Sequence, residues 1–198
     1  MQSQLSRLGM IVIRWGRSVI NRSIKGDTLV EVILAVTVFS MVAVGTISIM
    51  NKGVAIAQRS LETTLVRQQI DSQAEMLRYI HDERNNSTAH LWNDLKKPIN
   101  LMSAHSVKQR LGVTSCPSKF EAKEFALRSL GGNIQKVSSS QQAQSYAKVE
   151  GDVSYGVSIQ LTKGNKFYDA YIQACWDSLE SSMPATMGTI VRLYDQDA

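Results

Sequence analysis

The sequence predicts an α+β protein. A long N-terminal helix, transmembrane in its first half and amphipathic in its second, packs on a small C-terminal antiparallel β-sheet. Three observations predict it. Residues 32–50 run for nineteen positions without a charge. The following residues, to Arg84, contain no proline and place apolar side chains among polar ones at helical spacing. The last fifty residues alternate apolar and polar positions between turn formers, which is the signature of strands. The predicted divisions are a basic leader at 1–26, a transmembrane helix at 27–50, its amphipathic continuation at 51–84, and an extracytoplasmic head at 85–198.

The leader contains Arg7, Arg14, Arg17, Arg22 and Lys25 and no acid. The whole chain of 198 residues has 22 Lys and Arg against 17 Asp and Glu, so the leader accounts for the entire net charge of +5. A neutral remainder gives no basic stripe for nucleic acid, and charge alone predicts no nucleic-acid partner. The same charge ahead of an apolar run reads as a cytoplasmic anchor, because basic flanks stay inside.

The run from Thr28 to Met50 has the length to span a bilayer core of ~30 Å at ~1.5 Å per helical residue. A buried core helix would be shorter and would carry charge sooner. A secretory signal would have an apolar stretch of roughly 7–15 residues ahead of its small-x-small cleavage site, and this run is longer. Glu31 stands at the front of the run, where a carboxylate is costly unless it is paired or functional. Thr28 and Glu31 also have the spacing of a capping box.

Beyond Met50 the expected apolar positions are Val54, Leu61, Leu65, Ile70, Met76, Leu77 and Ile80. Asn85-Asn-Ser-Thr breaks the helix, Leu91–Leu95 forms a short helical turn, and Pro98 closes it. Residues 99–115 carry no assignable pattern. Glu121–Leu130 fits either a helix or an irregular strand around Phe125. Gly131-Gly132 is a turn, and the Ser- and Gln-rich stretch 138–145 a surface loop. Tyr146–Val149 is short and β-prone. Val153, Tyr155, Val157, Ile159 and Leu161 alternate as one half-buried strand. Lys163-Gly-Asn-Lys166 is a hairpin turn, Phe167–Trp176 the partner strand, 177–184 a connection and Met187–Tyr194 a third strand.

Cys116 and Cys175 both follow the membrane run. An even count in an oxidising compartment favours one disulfide, and two buried unpaired thiols are the alternative. His81, His90 and His105 are scattered, and no Cys-x-x-Cys, phosphate loop or nucleophile elbow occurs. No catalytic residue, metal ligand or cofactor is expected, and Trp92 and Trp176 read as packed side chains.

Lys25-Gly26-Asp27-Thr28-Leu29-Val30-Glu31, abutting an apolar helix, resembles the N-terminal signal of type IV pilins and type II secretion pseudopilins. The resemblance implies cleavage between Gly26 and Asp27 by a membrane prepilin peptidase and methylation of the new Asp27 amine. It implies that Glu31 pairs with that amine on a neighbouring subunit. The expected function is then a structural subunit, a minor pilin or pseudopilin, of a pilus-like or secretion-like filament. Its partners would be other subunits and the assembly platform. It would sit in the bacterial inner membrane as a single-pass protein, N-terminus in the cytoplasm and head outside. The distal region is similar to such subunits in plan only, and its cysteine pair is similar in kind to the disulfides of their heads. The competing reading is a single-pass membrane anchor carrying an extracellular binding domain that forms no filament.

Overall fold

A computed structural model describes residues 27–83, 88–107, 113–121, 123–178 and 183–195. The chain divides into two compact units, with the boundary between Ile49 and Met50. Helix α1, Asp27–Asp82, is 56 residues long and runs through that boundary. It begins at Asp27, so Thr28 lies inside the helix and not at the expected cap position. The long helix followed by a β-region makes the protein α+β.

In the second unit, α1 is covered only from about Glu62 onward. Val66, Ile70, Ala74, Leu77 and Ile80 are buried at spacings of four, four, three and three, one stripe of a helix. Val54 and Leu61, expected on that stripe, are exposed instead, and Leu65 and Met76 are half-buried. Helical spacing of apolar residues begins earlier along α1 than their burial does, because those first positions have no head to meet.

A short helix α2, Ala89–Leu95, follows and buries Trp92 and Leu95. The strands are β1 Leu101–Met102, β2 Ala126–Leu130, β3 Asn133–Val137, β4 Ser139–Gln141, β5 Lys148–Glu150, β6 Val153–Tyr155, β7 Val157–Lys163, β8 Phe167–Trp176 and β9 Ala185–Tyr194. They form a four-stranded sheet in the order β1-β7-β8-β9, a β2-β3 hairpin, and a three-stranded sheet β4-β6-β5. The β7-β8-β9 meander is antiparallel as expected, but β1 joins β7, and β4 joins β6, in parallel. The head is therefore a mixed β-region of three small sheets, not one antiparallel sheet. Val157, Ile159, Leu161, Ala170, Ile172 and Ala174 of the large sheet share one core with the buried stripe of α1.

Two local expectations change and two are sharpened. The strand expected across 153–161 is two strands in different sheets, separated at Gly156, whose φ is +74°. Glycine keeps the period-two pattern intact, so alternation alone hides the break. Of the stretch 121–130, Ala126–Leu130 is strand and not helix, with Phe125 bridging Ile159 ahead of β2. The glycine turn closes a β2-β3 hairpin: Gly131 and Gly132 have φ of +58° and +83°, and two positive values match a twisted hairpin turn. Part of the polar stretch 138–145 is β4, held by pairing to β6 and not by its own composition.

The polar positions of β7 differ too. Ser158, Gln160 and Thr162 were expected to face water, yet all are buried. Gln160 Nε2 donates to Glu124 Oε1 at 2.6 Å, so part of that face is satisfied by the segment leading into β2.

Candidate functional site

The first unit offers an exposed apolar helix, and within the second unit polar side chains fix the later part of α1 to the head. Lys25 and Gly26 lie outside the described residues, as does the rest of 1–26. Asp27 is the first residue of α1. Residues 28–49 are exposed throughout, apart from half-buried Ala43. Among the described residues, this is one helix long and apolar enough to cross a membrane, and none of its apolar window is buried. A core helix of that composition would be covered.

Three hydroxyls within this run are satisfied locally. Thr37 Oγ1 donates to the Leu34 carbonyl at 2.8 Å, Ser40 Oγ to Val36 at 2.7 Å, and Thr46 Oγ1 to Val42 at 2.8 Å. Bonds back to the preceding turn lower the polar demand of these side chains in an apolar medium. Glu31 breaks that surface. It is exposed between Val30 and Val32, and among the described residues it has no ion-pair partner. Gly45 has no atom within 4 Å of an added Cβ, so nothing in the chain itself occupies the space beside it.

In the second unit, polar side chains of α1 pair with the head. Glu62 Oε2 accepts from Trp176 Nε1 at 3.3 Å and Ser178 Oγ at 3.0 Å. Gln69 Oε1 accepts from the Val149 amide at 3.4 Å. Gln73 is fully buried; its Nε2 donates to the Leu127 carbonyl at 2.8 Å and its Oε1 accepts from the Leu127 amide at 2.7 Å. The primary amide thus stands in for a neighbouring strand on β2. His81 meets Trp92 edge-on at 5.1 Å, and Trp92 meets Tyr168 at 5.4 Å, which seats the end of α1.

Sequence reasoning missed Glu62, Gln69 and Gln73. A signal existed for Gln73: it falls within the stripe defined by Ile70, Ala74 and Leu77, where a polar residue must have buried partners. Replacing Gln73 with Ala is expected to destabilise the head by about 1–3 kcal/mol, since it strands both backbone groups of Leu127. Urea titration of Trp fluorescence would show the lowered midpoint, and an unchanged midpoint would remove the pairing role.

Cys116 and Cys175 come together as a disulfide, with Sγ atoms 2.05 Å and Cα atoms 5.6 Å apart. Cys175 is fully buried, and the bond ties the segment around Cys116 to the end of β8. On the same sheet, Arg192 makes a two-pronged contact with Asp169 at 2.7 and 2.9 Å and lies 4.0 Å over the Phe167 ring. Hydrogen bonding to Asp169 raises the Arg192 pKa further above its usual range. The Lys97 ammonium, hydrogen-bonded at 2.8 Å, lowers the Asp94 carboxyl, and a Glu150 contact raises Lys148.

One open groove of about 270 Å³ lies beside α1, lined by Gln69, Ser72, Met76, Arg128, Ser129 and Gly151 among others. Arg128 is already held by Asp152 and by Gln135. Among the described residues, no three His, Cys, Asp or Glu side chains gather as a metal site would need. The geometry offers a membrane-compatible helix and a disulfide-linked head. Comparison with known proteins finds no matching family model, curated protein or solved structure.

Proposed function

We propose that the chain is a minor pilin or pseudopilin, a structural subunit of a type IV pilus-like or type II secretion-like filament. The observation that carries this reading is the junction Lys25-Gly26-Asp27-Thr28-Leu29-Val30-Glu31, set directly before an uncovered apolar helix. A prepilin peptidase cuts between Gly26 and Asp27, and the new amine of Asp27 becomes the methylated terminus. The apolar helix first holds the subunit in the inner membrane, with the head outside the cytoplasm. It then passes into a bundle of like helices, where close packing replaces lipid.

Glu31 supplies the register. A carboxylate in an apolar surface is expensive alone and far less so beside a neighbouring subunit's terminal amine. The pair forms at one axial offset only, because an ion pair in low dielectric tolerates little displacement. The disulfide-linked head suits an oxidising compartment outside the cytoplasm.

Mass spectrometry of the N-terminus in membrane and filament fractions tests the reading. The expected terminus is Asp27. An uncut chain in the assembled fraction overturns it and favours a plain single-pass anchor, and a terminus near residue 50 favours a secreted domain. Glu31→Ala is expected to leave membrane insertion intact and to abolish recovery of the protein in sheared filaments. Normal recovery of that variant would remove the pairing role.

A further inference from the structure

Among the described residues, the large sheet ends in an open edge. β9 is its outermost strand, with ten residues paired to β8 in one unbroken register. The Asp195 amide bonds the Lys166 carbonyl at 3.2 Å in that same register. Hydrogen-bonded pairs alternate along an antiparallel ladder, so the odd residues of β9 spend their backbone groups on β8. The even residues Thr186, Gly188, Ile190, Arg192 and Tyr194 turn theirs to the open edge. Among the described residues no strand pairs there.

Open edges are ordinarily blunted by lysine, proline, a bulge or an inward charge. Residues 185–194 contain no proline, no lysine and no acid, and the register has no bulge. The one charge, Arg192, is held on the sheet's outer face by Asp169 and Phe167. Ile190 and Tyr194 are exposed on that face at 59% and 73%.

We propose that β9 pairs antiparallel with β9 of a second copy of this chain, about a two-fold axis through Ile190. This register brings all five open-edge residues into mutual pairs: Ile190 with Ile190, Gly188 with Arg192, and Thr186 with Tyr194. About ten backbone hydrogen bonds result, two for each pair. Arg192 meets a residue with no side chain. On the core-facing side Val191 faces Thr189, and Leu193 faces half-buried Met187. Neighbouring registers are worse. An axis at Thr189 or Val191 keeps the backbone phase but leaves only four mutual pairs among these residues; one step further, an axis at Arg192 sets two guanidiniums against each other, and an axis at Gly188 brings in Pro184, which has no amide hydrogen to donate. The occupant is a second copy because the strand is complementary to itself in charge, bulk and backbone phase. The inference rests on β9 alone and not on the filament reading.

Single cysteine variants of the full chain, in membranes, test it under mild oxidation. Cys116 and Cys175 are already bonded, so each variant adds one thiol. Ile190→Cys places two Cα atoms about 5.5 Å apart across the axis, within disulfide reach. Tyr194→Cys lies on the same edge opposite Phe167 and away from the native disulfide, but its two copies would be about 27 Å apart. The expected result is roughly tenfold more linked dimer from Ile190→Cys than from Tyr194→Cys. Equal yields, no adduct, or an adduct whose mass is not twice the chain would each overturn the pairing. Both positions lie outside the core, and retained resistance of the native disulfide to reductant would verify folding.

Discussion

Gly156→Ala is expected to be strongly destabilising to the head, costing about 2–5 kcal/mol. Two causes add. The residue has φ +74°, a left-handed conformation that costs an L-side chain about 1–2 kcal/mol. The added Cβ would also lie 2.0 Å from the Cys175 carbonyl oxygen and 3.0 Å from Ala143 Cβ. The obstacle is backbone of a central strand and has no rotamer by which to move aside. A shift of Gly156 would break two further links: its amide donates to Gln141 at 3.1 Å, and its carbonyl accepts from the Cys175 amide at 2.9 Å. Both sheets joined at this point would lose register together. Gly151→Ala is the control. That residue also has positive φ, at +57°, but open space where Cβ would sit, so it is expected to cost only about 1 kcal/mol. Denaturant midpoints of the two variants separate the steric cost from the conformational one. Equal losses would contradict the clash at Cys175.

Removing the disulfide by Cys116→Ser and Cys175→Ser together is expected to cost about 4 kcal/mol on the chain-entropy account. The bond joins positions 59 residues apart, so it closes most of the head into one loop. Without it the unfolded chain gains the freedom of that loop, while the folded head keeps its ladder between β7 and β8. The segment around Cys116 should loosen first. It contains little regular structure among the described residues, and its tie to β8 is this bond. The expected signature is threefold: a lower unfolding midpoint for the double variant, no further change when reductant is added, and a fall of wild-type protein to the variant's value under reductant. A wild-type midpoint insensitive to complete reduction would show that packing alone holds this segment.

Much of the local structure was legible in the residues. The nineteen uncharged positions marked an apolar helix, and the absence of proline to Arg84 marked its continuation; the helix runs Asp27–Asp82. The Lys163–Lys166 turn was legible from its turn formers, and its two flanking strands pair as expected. The cysteine pair was legible as a possibility from count and compartment. What failed was anything set by distant partners. β4 has the composition of a loop and is a strand because β6 lies beside it. β1 has only two residues and no pattern of its own. Glu62 and Gln73 look like ordinary polar helix residues until Trp176, Ser178 and Leu127 arrive from more than fifty positions away. Leu61 shows the converse error, an apolar residue at the right spacing with no surface opposite it.

The sequence by itself determined the long helix, its apolar first half, the Gly26–Glu31 junction and the β7-β8-β9 meander. These depend on near neighbours: helical rise and periodicity, strand alternation, and the turn chemistry of a few adjacent residues. Only the tertiary structure decided where burial of α1 begins, which strands join in parallel, that Gly156 separates two sheets, and that β9 ends the large sheet with its edge open. Each of those depends on which remote segment lies alongside, and the energy of such a contact belongs to the pair of surfaces and to neither stretch of chain alone.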